Sequence, residues 1–569
     1  MTQAAPTFSE IAAQLTAPGQ MFETERVRIR DVDVTTWKNA PPTLRHIFEA
    51  SRRFAERTYM VYEGETLTFD EHYRRVVALA NALVSDFGIR KGDRVALAMR
   101  NYPEWSIAFW AIAATGAVVV PLNAWWTGPE LAYGFNDSGA RLLIADGDRA
   151  LRLSKELDLS KLAGVIVARG KNLAAAWADY EQMLAKHASN PKLPDVEALG
   201  PEDPATIFYT SGTTGFPKGA LGTHRNMCSM ALTLGFLGVR ALLREGGSLQ
   251  DLAAMQGVQQ VLLLAVPLFH VVGSHGVLLS ALVAGNKIVM MYKWDPQQAL
   301  ECIERERVTV LTATPTMIWQ LVDHPDINKR DLSSVGSVGY GGAPAPPELR
   351  RRVAELMPAA LPGTGYGITE VSSVVSGLHG SDYSGRADSA GVAVPICDVI
   401  AVDDEGKEVP RGQLGELWIK GVNVVAGYWN KPEATAQSFT DGWFHSGDIG
   451  RIDEGGFIYI VDRKKDIIIR GGENVYCAEV EAALMDYPGV KGAAVIGLPH
   501  RVLGEEVGAV VQIDPAQAVT ADALQQHAAK KLAAFKVPSR IWLREDPLPL
   551  GATGKIMKRE LRDQLLAAS

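Results

Sequence analysis

The feature that most constrains this chain is a regular alternation of short apolar runs with helical patterns. Between residues 95 and 145 the order is strand (95–98), helix (104–114), strand (117–121), helix (129–136), strand (142–145). The middle of the chain repeats it: strand 206–209, helix 224–237, strand 261–266, helix 275–282, strand 287–291, helix 296–306 and strand 308–312. Strands that alternate with helices build parallel sheets covered by helices. Residues 238–259, rich in Gly and Gln, break the pattern and read as a surface excursion, and residues 1–43 carry no assignable pattern. An earlier helix at 44–54 and a hairpin around Glu63-Gly64 precede the first alternation.

Beyond residue 400 the character changes to short alternating strands at 399–402, 416–420 and 457–461. The polar run Asp462-Arg-Lys-Lys-Asp466 follows, and then a compact α+β unit ending in a helix from Lys558. The expected fold is therefore an α/β large N-terminal domain, with parallel-rich sheets and a small β subdomain, and a small α+β C-terminal domain. We place the large domain at 1–462, a hinge at 463–466 and the small domain at 467–569.

Composition narrows the function. Fifty-seven Lys and Arg against 65 Asp and Glu give a net charge of −8, so no overall basic footprint argues for nucleic acid. Cys228, Cys302, Cys397 and Cys477 are scattered, without a C-x-x-C pair, which fits a reducing cytoplasm rather than a disulfide framework. Trp105 to Leu122 runs without a charge, but its β-branched stretch ending at proline reads as a buried helix and strand, not a membrane span. The N-terminus shows no signal peptide pattern.

Tyr209-Thr-Ser-Gly-Thr-Thr-Gly-Phe-Pro-Lys-Gly219 packs three glycines, three threonines, a serine and a lysine into eleven residues. Glycines let backbone N–H groups converge and a ligand approach closely, and Lys218 adds a mobile positive charge, which together suit a polyphosphate. A Walker loop is excluded, because Pro217 stands at its second glycine. Gly339-Tyr-Gly-Gly-Ala-Pro344 likewise fails as a dinucleotide fingerprint at Pro344.

Four further motifs follow in order. Pro267-Leu-Phe-His270 closes a buried strand, where α/β folds bind ligands; from the residue alone His270 reads more readily as a structural histidine. In Gly365-Tyr-Gly-Ile-Thr-Glu370, Tyr366 can stack on a purine, Thr369 can donate to a phosphate, and Glu370 is a hard oxygen ligand for Mg²⁺. Asp448, in Trp443-Phe-His-Ser-Gly-Asp448, is either a turn former or an acceptor for ribose hydroxyls. Lys555, in Leu550-Gly-Ala-Thr-Gly-Lys555, is either an exposed loop lysine or a cation that closes over a nucleotide.

The set, with Gly415–Gly421 and Gly427–Pro432 between its members, resembles the adenylate-forming superfamily: acyl-CoA synthetases, adenylation domains and beetle luciferases. The resemblance implies an ATP-dependent acid–CoA ligase. A carboxylic acid and MgATP give an acyl-adenylate and pyrophosphate, and coenzyme A then yields acyl-CoA and AMP. The expected acid is a medium- or long-chain fatty acid or a bulky aryl or alicyclic acid. The alternative is a stand-alone enzyme loading a carrier protein; coenzyme A is favoured because the sequence ends soon after Lys555.

The resemblance also distributes roles. Thr210, Ser211, Gly212, Thr213, Thr214, Gly215 and Lys218 would hold phosphates. Gly342, Ala343, Pro344, Gly365, Tyr366 and Gly367 would hold the nucleotide, Asp448 the ribose, and Arg463 ribose and α-phosphate. Thr369 and Glu370 would serve the phosphates and Mg²⁺, and Lys555 the adenylation step. Phe269, His270, Val271, Gly273 and His275 would line the acid pocket. Lys465 would be the hinge about which the small, mobile domain swings, and Gly472 the narrow point of the pantetheine channel. The partners expected are the acid, ATP and coenzyme A, without nucleic acid or a transmembrane segment; peripheral membrane contact and a homodimer stay open.

Overall fold

A computed structural model describes residues 6–171, 174–210, 216–255, 257–342, 345–551 and 554–568. Two large sheets form the first four-fifths of the chain. The seven-stranded sheet runs from Lys218–Thr223 through Pro204–Thr210, Val118–Pro121, Arg94–Ala98, Leu142–Asp146 and Gly164–Ala168 to Ala178–Asp179. All its pairs are parallel except that between Pro204–Thr210 and Lys218–Thr223. The fourteen-stranded sheet has a parallel centre, from Thr58–Tyr62 through Lys287–Met290, Val261–Leu264, Val310–Ala313 and Ser337–Gly341 to Leu361–Tyr366. It continues antiparallel into the strands after residue 376.

One helix, Pro103–Ala114, is apolar almost all round. In Pro103–Ala114 every residue is buried, Glu104 included, which is the signature of a core helix. The uncharged stretch 105–122 is thus a buried helix and a buried strand. His224–Arg244 is the one helix among the described residues long and apolar enough to cross a membrane. It buries Met227, Cys228, Met230, Phe236 and Leu237 in the protein interior.

Three expectations are corrected. The helix expected to stop near 237 continues to Arg244, and a second helix, Leu249–Met255, follows, so residues 238–259 are not an irregular excursion. Burial explains the continuation: Val239, Arg240 and Leu243 are all buried, and Arg240 donates to the Gly377 carbonyl at 2.6 Å. Second, a strand not assigned from the sequence lies between the phosphate loop and that helix. The strand Lys218–Thr223 pairs antiparallel with Pro204–Thr210. Third, the helix expected at 275–282 begins at Val272 as a π-helical segment to Leu279 and continues as Ser280–Ala284. Residues left unassigned at the N-terminus form a helix, Phe8–Thr16, and a hairpin, Thr24–Ile29 with Val32–Trp37.

The strand Phe457–Arg463 ends the large sheet, residues 464–466 turn, and Ile468–Arg470 opens a separate five-stranded sheet. That sheet has its own apolar core, including Val480, Leu484, Val495, Val507 and Leu524.

Candidate functional site

The C-terminal ends of the parallel strands gather the candidate residues, as open α/β sheets do. Ser211–Gly215, Ala343 and Pro344 lie outside the described residues; their flanks do not. The hairpin base is tied to the helix Gly128–Ser138. Tyr209 Oη donates to Asp137 Oδ2 at 2.9 Å, Lys431 Nζ pairs with Asp137 Oδ1 at 2.9 Å, and Tyr133 Oη donates to the Pro217 carbonyl at 3.1 Å. Thr210 and Lys218 are register partners at the mouth of this hairpin.

The segment after Val425 runs along the returning strand. Ala426 N–H donates to Leu221 O at 2.8 Å, Leu221 N–H to Gly427 O at 2.9 Å, and Trp429 N–H to Gly219 O at 2.8 Å. This places Tyr428 opposite Ala220. Its hydroxyl donates to Glu370 Oε1 at 2.8 Å, and its ring centre lies 4.8 Å from Lys218 Nζ. Burial and then Glu370 push the Tyr428 pKa up, so the phenol stays a donor. Tyr428, which the sequence reading did not single out, joins these candidates through its contacts. The signal was present in Gly427–Pro432, but its target is set by pairing between distant segments.

Glu370 and Thr369 sit on a single turn after the strand Leu361–Tyr366. Gly367 is required there, because a β-carbon would fall 1.2 Å from the Ser373 carbonyl oxygen. Among the described residues, no three His, Cys, Asp or Glu side chains converge as a metal cage. A half-buried carboxylate with one oxygen fixed by Tyr428 fits Mg²⁺, which takes one or two carboxylates and completes its shell with water and phosphate oxygens.

Asp448 is buried and fully engaged. Arg463 Nε pairs with its Oδ1 at 2.5 Å, and Tyr366 Oη donates to its Oδ2 at 2.7 Å. Burial raises the Asp448 pKa against the lowering effect of Arg463. Tyr366 is itself buried, so its hydroxyl orients the carboxylate from below.

Lys555 reaches this group from the small sheet. Leu550 and Ile556 pair across a tight turn, with Gly551 N–H donating to Lys555 O at 2.8 Å and Gly554 N–H to Gly551 O at 2.9 Å. Gly554 packs on Thr314, and a β-carbon on Gly342 would lie 3.3 Å from Lys555 Cε. Lys555 is solvent-accessible, as the lining of an open cleft is. The surrounding protein and then Arg463 lower its ammonium pKa, with Asp448 opposing.

On the acid side, Phe269, Val271, Gly273 and His275 are buried and His270 is half-buried. Gly273 packs so closely that a β-carbon would meet the Pro267 carbonyl at 2.3 Å. Burial and then Lys555 lower the His270 pKa to about 4; burial and then His270 lower that of His275 to about 3. Both are neutral at pH 7. His275 Nδ1 is 2.9 Å from Ser274 Oγ, and the ring meets Phe208 edge-on at 5.1 Å. Two further candidates are exposed. Lys465 is exposed in the turn after Arg463, and Gly472 is exposed on the Ile468–Arg470 and Glu473–Val475 hairpin, with φ +90° and open space around its α-carbon.

Known proteins are similar to this chain in sequence and in fold. The family model described as AMP-binding enzyme matches residues 47–429, and that described as AMP-binding enzyme C-terminal domain matches 479–555. A feruloyl-CoA synthase from Amycolatopsis is 37% identical over 90% of this chain and 96% of its own length. A long-chain-fatty-acid–CoA ligase from Escherichia coli is 34% identical over 91% of this chain and 94% of its own. Among solved structures, an anthranilate CoA ligase in complex with anthranoyl-AMP superposes with a TM-score of 0.81 at 26% identity, covering 93% of this chain and 98% of that one. The chain therefore belongs to the AMP-binding enzyme family, the adenylate-forming superfamily of the acyl-CoA synthetases.

Proposed function

We infer that this chain is an AMP-forming acid–CoA ligase, using ATP, Mg²⁺ and coenzyme A on a bulky aryl or medium- to long-chain fatty acid. The observation that supports it best is the meeting of Lys555 with Asp448, Arg463 and Gly342 in one cleft. In the first step a carboxylate oxygen of the acid attacks the α-phosphorus of ATP and pyrophosphate leaves. Lys555 stabilises the charge that develops there, and the Asp448–Arg463 pair holds the ribose end. Lys218 and the phosphate loop hold the phosphates. Mg²⁺, when bound at Glu370, neutralises charge on the phosphate oxygens.

In the second step the thiol of coenzyme A attacks the acyl carbonyl, its proton is lost and AMP leaves. The hinge at 463–466 and the approach of pantetheine past Gly472 belong to this step, in a second pose of the small domain. Neutral His270 and His275 beside Phe269 and Val271 suit an apolar acyl group. The names of the aryl- and fatty-acid-specific relatives support that choice of acid. The four cysteines are free, in keeping with a reducing cytoplasm.

The test is CoA-dependent AMP release across fatty acids, benzoates and cinnamates. Turnover confined to one class identifies the acid. Acid-dependent ATP–pyrophosphate exchange without CoA-dependent turnover would overturn coenzyme A as the acceptor.

A further inference from the structure

We propose that Tyr428 is a positioning residue that sets the magnesium carboxylate and the phosphate lysine against each other. The geometry is specific on both sides of the ring. The hydroxyl fixes Glu370 Oε1 at 2.8 Å, while the face of the same ring lies 4.8 Å from the Lys218 ammonium. Glu370 and Lys218 come from different sheets and share no hydrogen bond or ion pair with each other, so Tyr428 is their common partner.

The backbone holds the tyrosine where this is enforced. Hydrogen bonds from 426, 427 and 429 clamp its segment onto the strand that carries Lys218. One residue before that clamp, Val425 N–H donates to Glu370 O at 3.0 Å. Tyr428 is thus tied through the chain to both residues it orients. Phe439 packs edge-on against the ring at 5.7 Å, limiting its rotation.

The physics gives each contact a distinct role. A hydroxyl on one carboxylate oxygen leaves the other oxygen to meet a cation and fixes its direction. Such outer partners of a metal ligand are worth about 10- to 100-fold in affinity or activity. The ring face attracts the ammonium and keeps it from folding onto Glu370, where the two charges would cancel before ATP arrives.

The inference rests on the ligase reading only in taking ATP as the ligand, so its test contains neither acid nor coenzyme A. ATP binding is measured by calorimetric titration in MgCl₂ and in EDTA, for the wild type, Tyr428→Phe, Glu370→Gln and the double variant. Tyr428→Phe keeps the ring and its packing, and thermal melting checks that each variant is folded. Expected is a magnesium-dependent gain in the wild type that falls about tenfold or more in Tyr428→Phe. Glu370→Gln should lose it too, and the double variant should be no weaker than Glu370→Gln alone. Tyr428→Leu should in addition bind ATP more weakly in EDTA, through Lys218. An undiminished magnesium gain in Tyr428→Phe, losses that add in the double variant, or no magnesium gain in the wild type would each overturn the proposal. Absent CoA turnover in a separate assay would count against the ligase reading and leave this result standing.

Discussion

Asp448 and Arg463 are partners twice over: they face each other in the ladder between Trp443–Ile452 and Phe457–Arg463, and their side chains pair at 2.5 Å. Arg463 is the last residue of its strand, so the pair sits where the large sheet gives way to the turn before the small one. The first prediction follows from the unequal burial of the two: Asp448 is 4% and Arg463 39% exposed in their side chains. Arg463→Ala should leave a buried carboxylate unpaired and lower stability by about 1–2 kcal/mol, less than a fully buried pair would cost. It should also raise KM for ATP. Unfolding midpoints and ATP kinetics check both effects.

Lys555→Ala should reduce adenylate formation by about a hundredfold or more, the loss seen when a transition-state charge partner is removed. It should spare thioester formation from supplied acyl-adenylate, because in the proposed second pose of the small domain the lysine would leave the site. Measuring the two half-reactions separately decides it; equal losses would refute the division of labour.

The pH dependence of adenylation carries a sign. Desolvation by the surrounding protein and then Arg463 depress the Lys555 pKa below the usual 10.5, with Asp448 opposing. The step needs the ammonium, so kcat/KM for ATP should fall as pH rises through that lowered value, earlier than for a free lysine. Lys555→Arg keeps its charge at these pH values, and its profile should lose this alkaline limb even if the maximum is lower.

Gly342→Val tests the seating of the lysine. Gly342 has φ +81°, and a β-carbon there would stand 3.3 Å from Lys555 Cε. Strain and displacement together should slow adenylation by more than tenfold, by the rate rule of about 1.4 kcal/mol per decade. The thioester step from supplied acyl-adenylate should change far less.

Gly472→Leu should do the reverse. The position is exposed and no atom lies within 4 Å of a β-carbon, so only the backbone strain of its φ of +90° opposes folding. ATP–pyrophosphate exchange should persist while CoA-dependent turnover fails. Normal turnover in this variant would show that pantetheine passes elsewhere.

The architecture was legible where burial dictates sequence. Strands such as Val261–Leu264 and helices such as Pro296–Glu306 are written in runs of apolar residues and a Pro at the first turn. The extension of the helix past Leu237 was not, because Gly238 costs about 1 kcal/mol in a helix and reads as a break. Packing overrides it, with Arg240 stacked on Phe8 and Phe236. The N-terminal hairpin sets charged residues among only a few apolar ones, and that Ile29, Val34 and Trp37 pack into a core depends on distant partners such as Phe236. In the site, Asp448, Glu370 and Lys555 could be named one by one from their motifs. That Tyr366 and Arg463 occupy both oxygens of Asp448, and that Tyr428 joins Glu370 to Lys218, depends on strand registers across distant segments, which no local pattern encodes.

The lysine at the cleft is carried by a unit with its own apolar core, separate from the cores that shape the acid pocket. Mutations that repack Phe269 or Val271 therefore leave the folding of the Lys555 hairpin untouched. A lineage of such enzymes can drift from one acid to another while keeping this lysine, since Lys555 and the proposed acid pocket are inherited on separately stabilised pieces of protein.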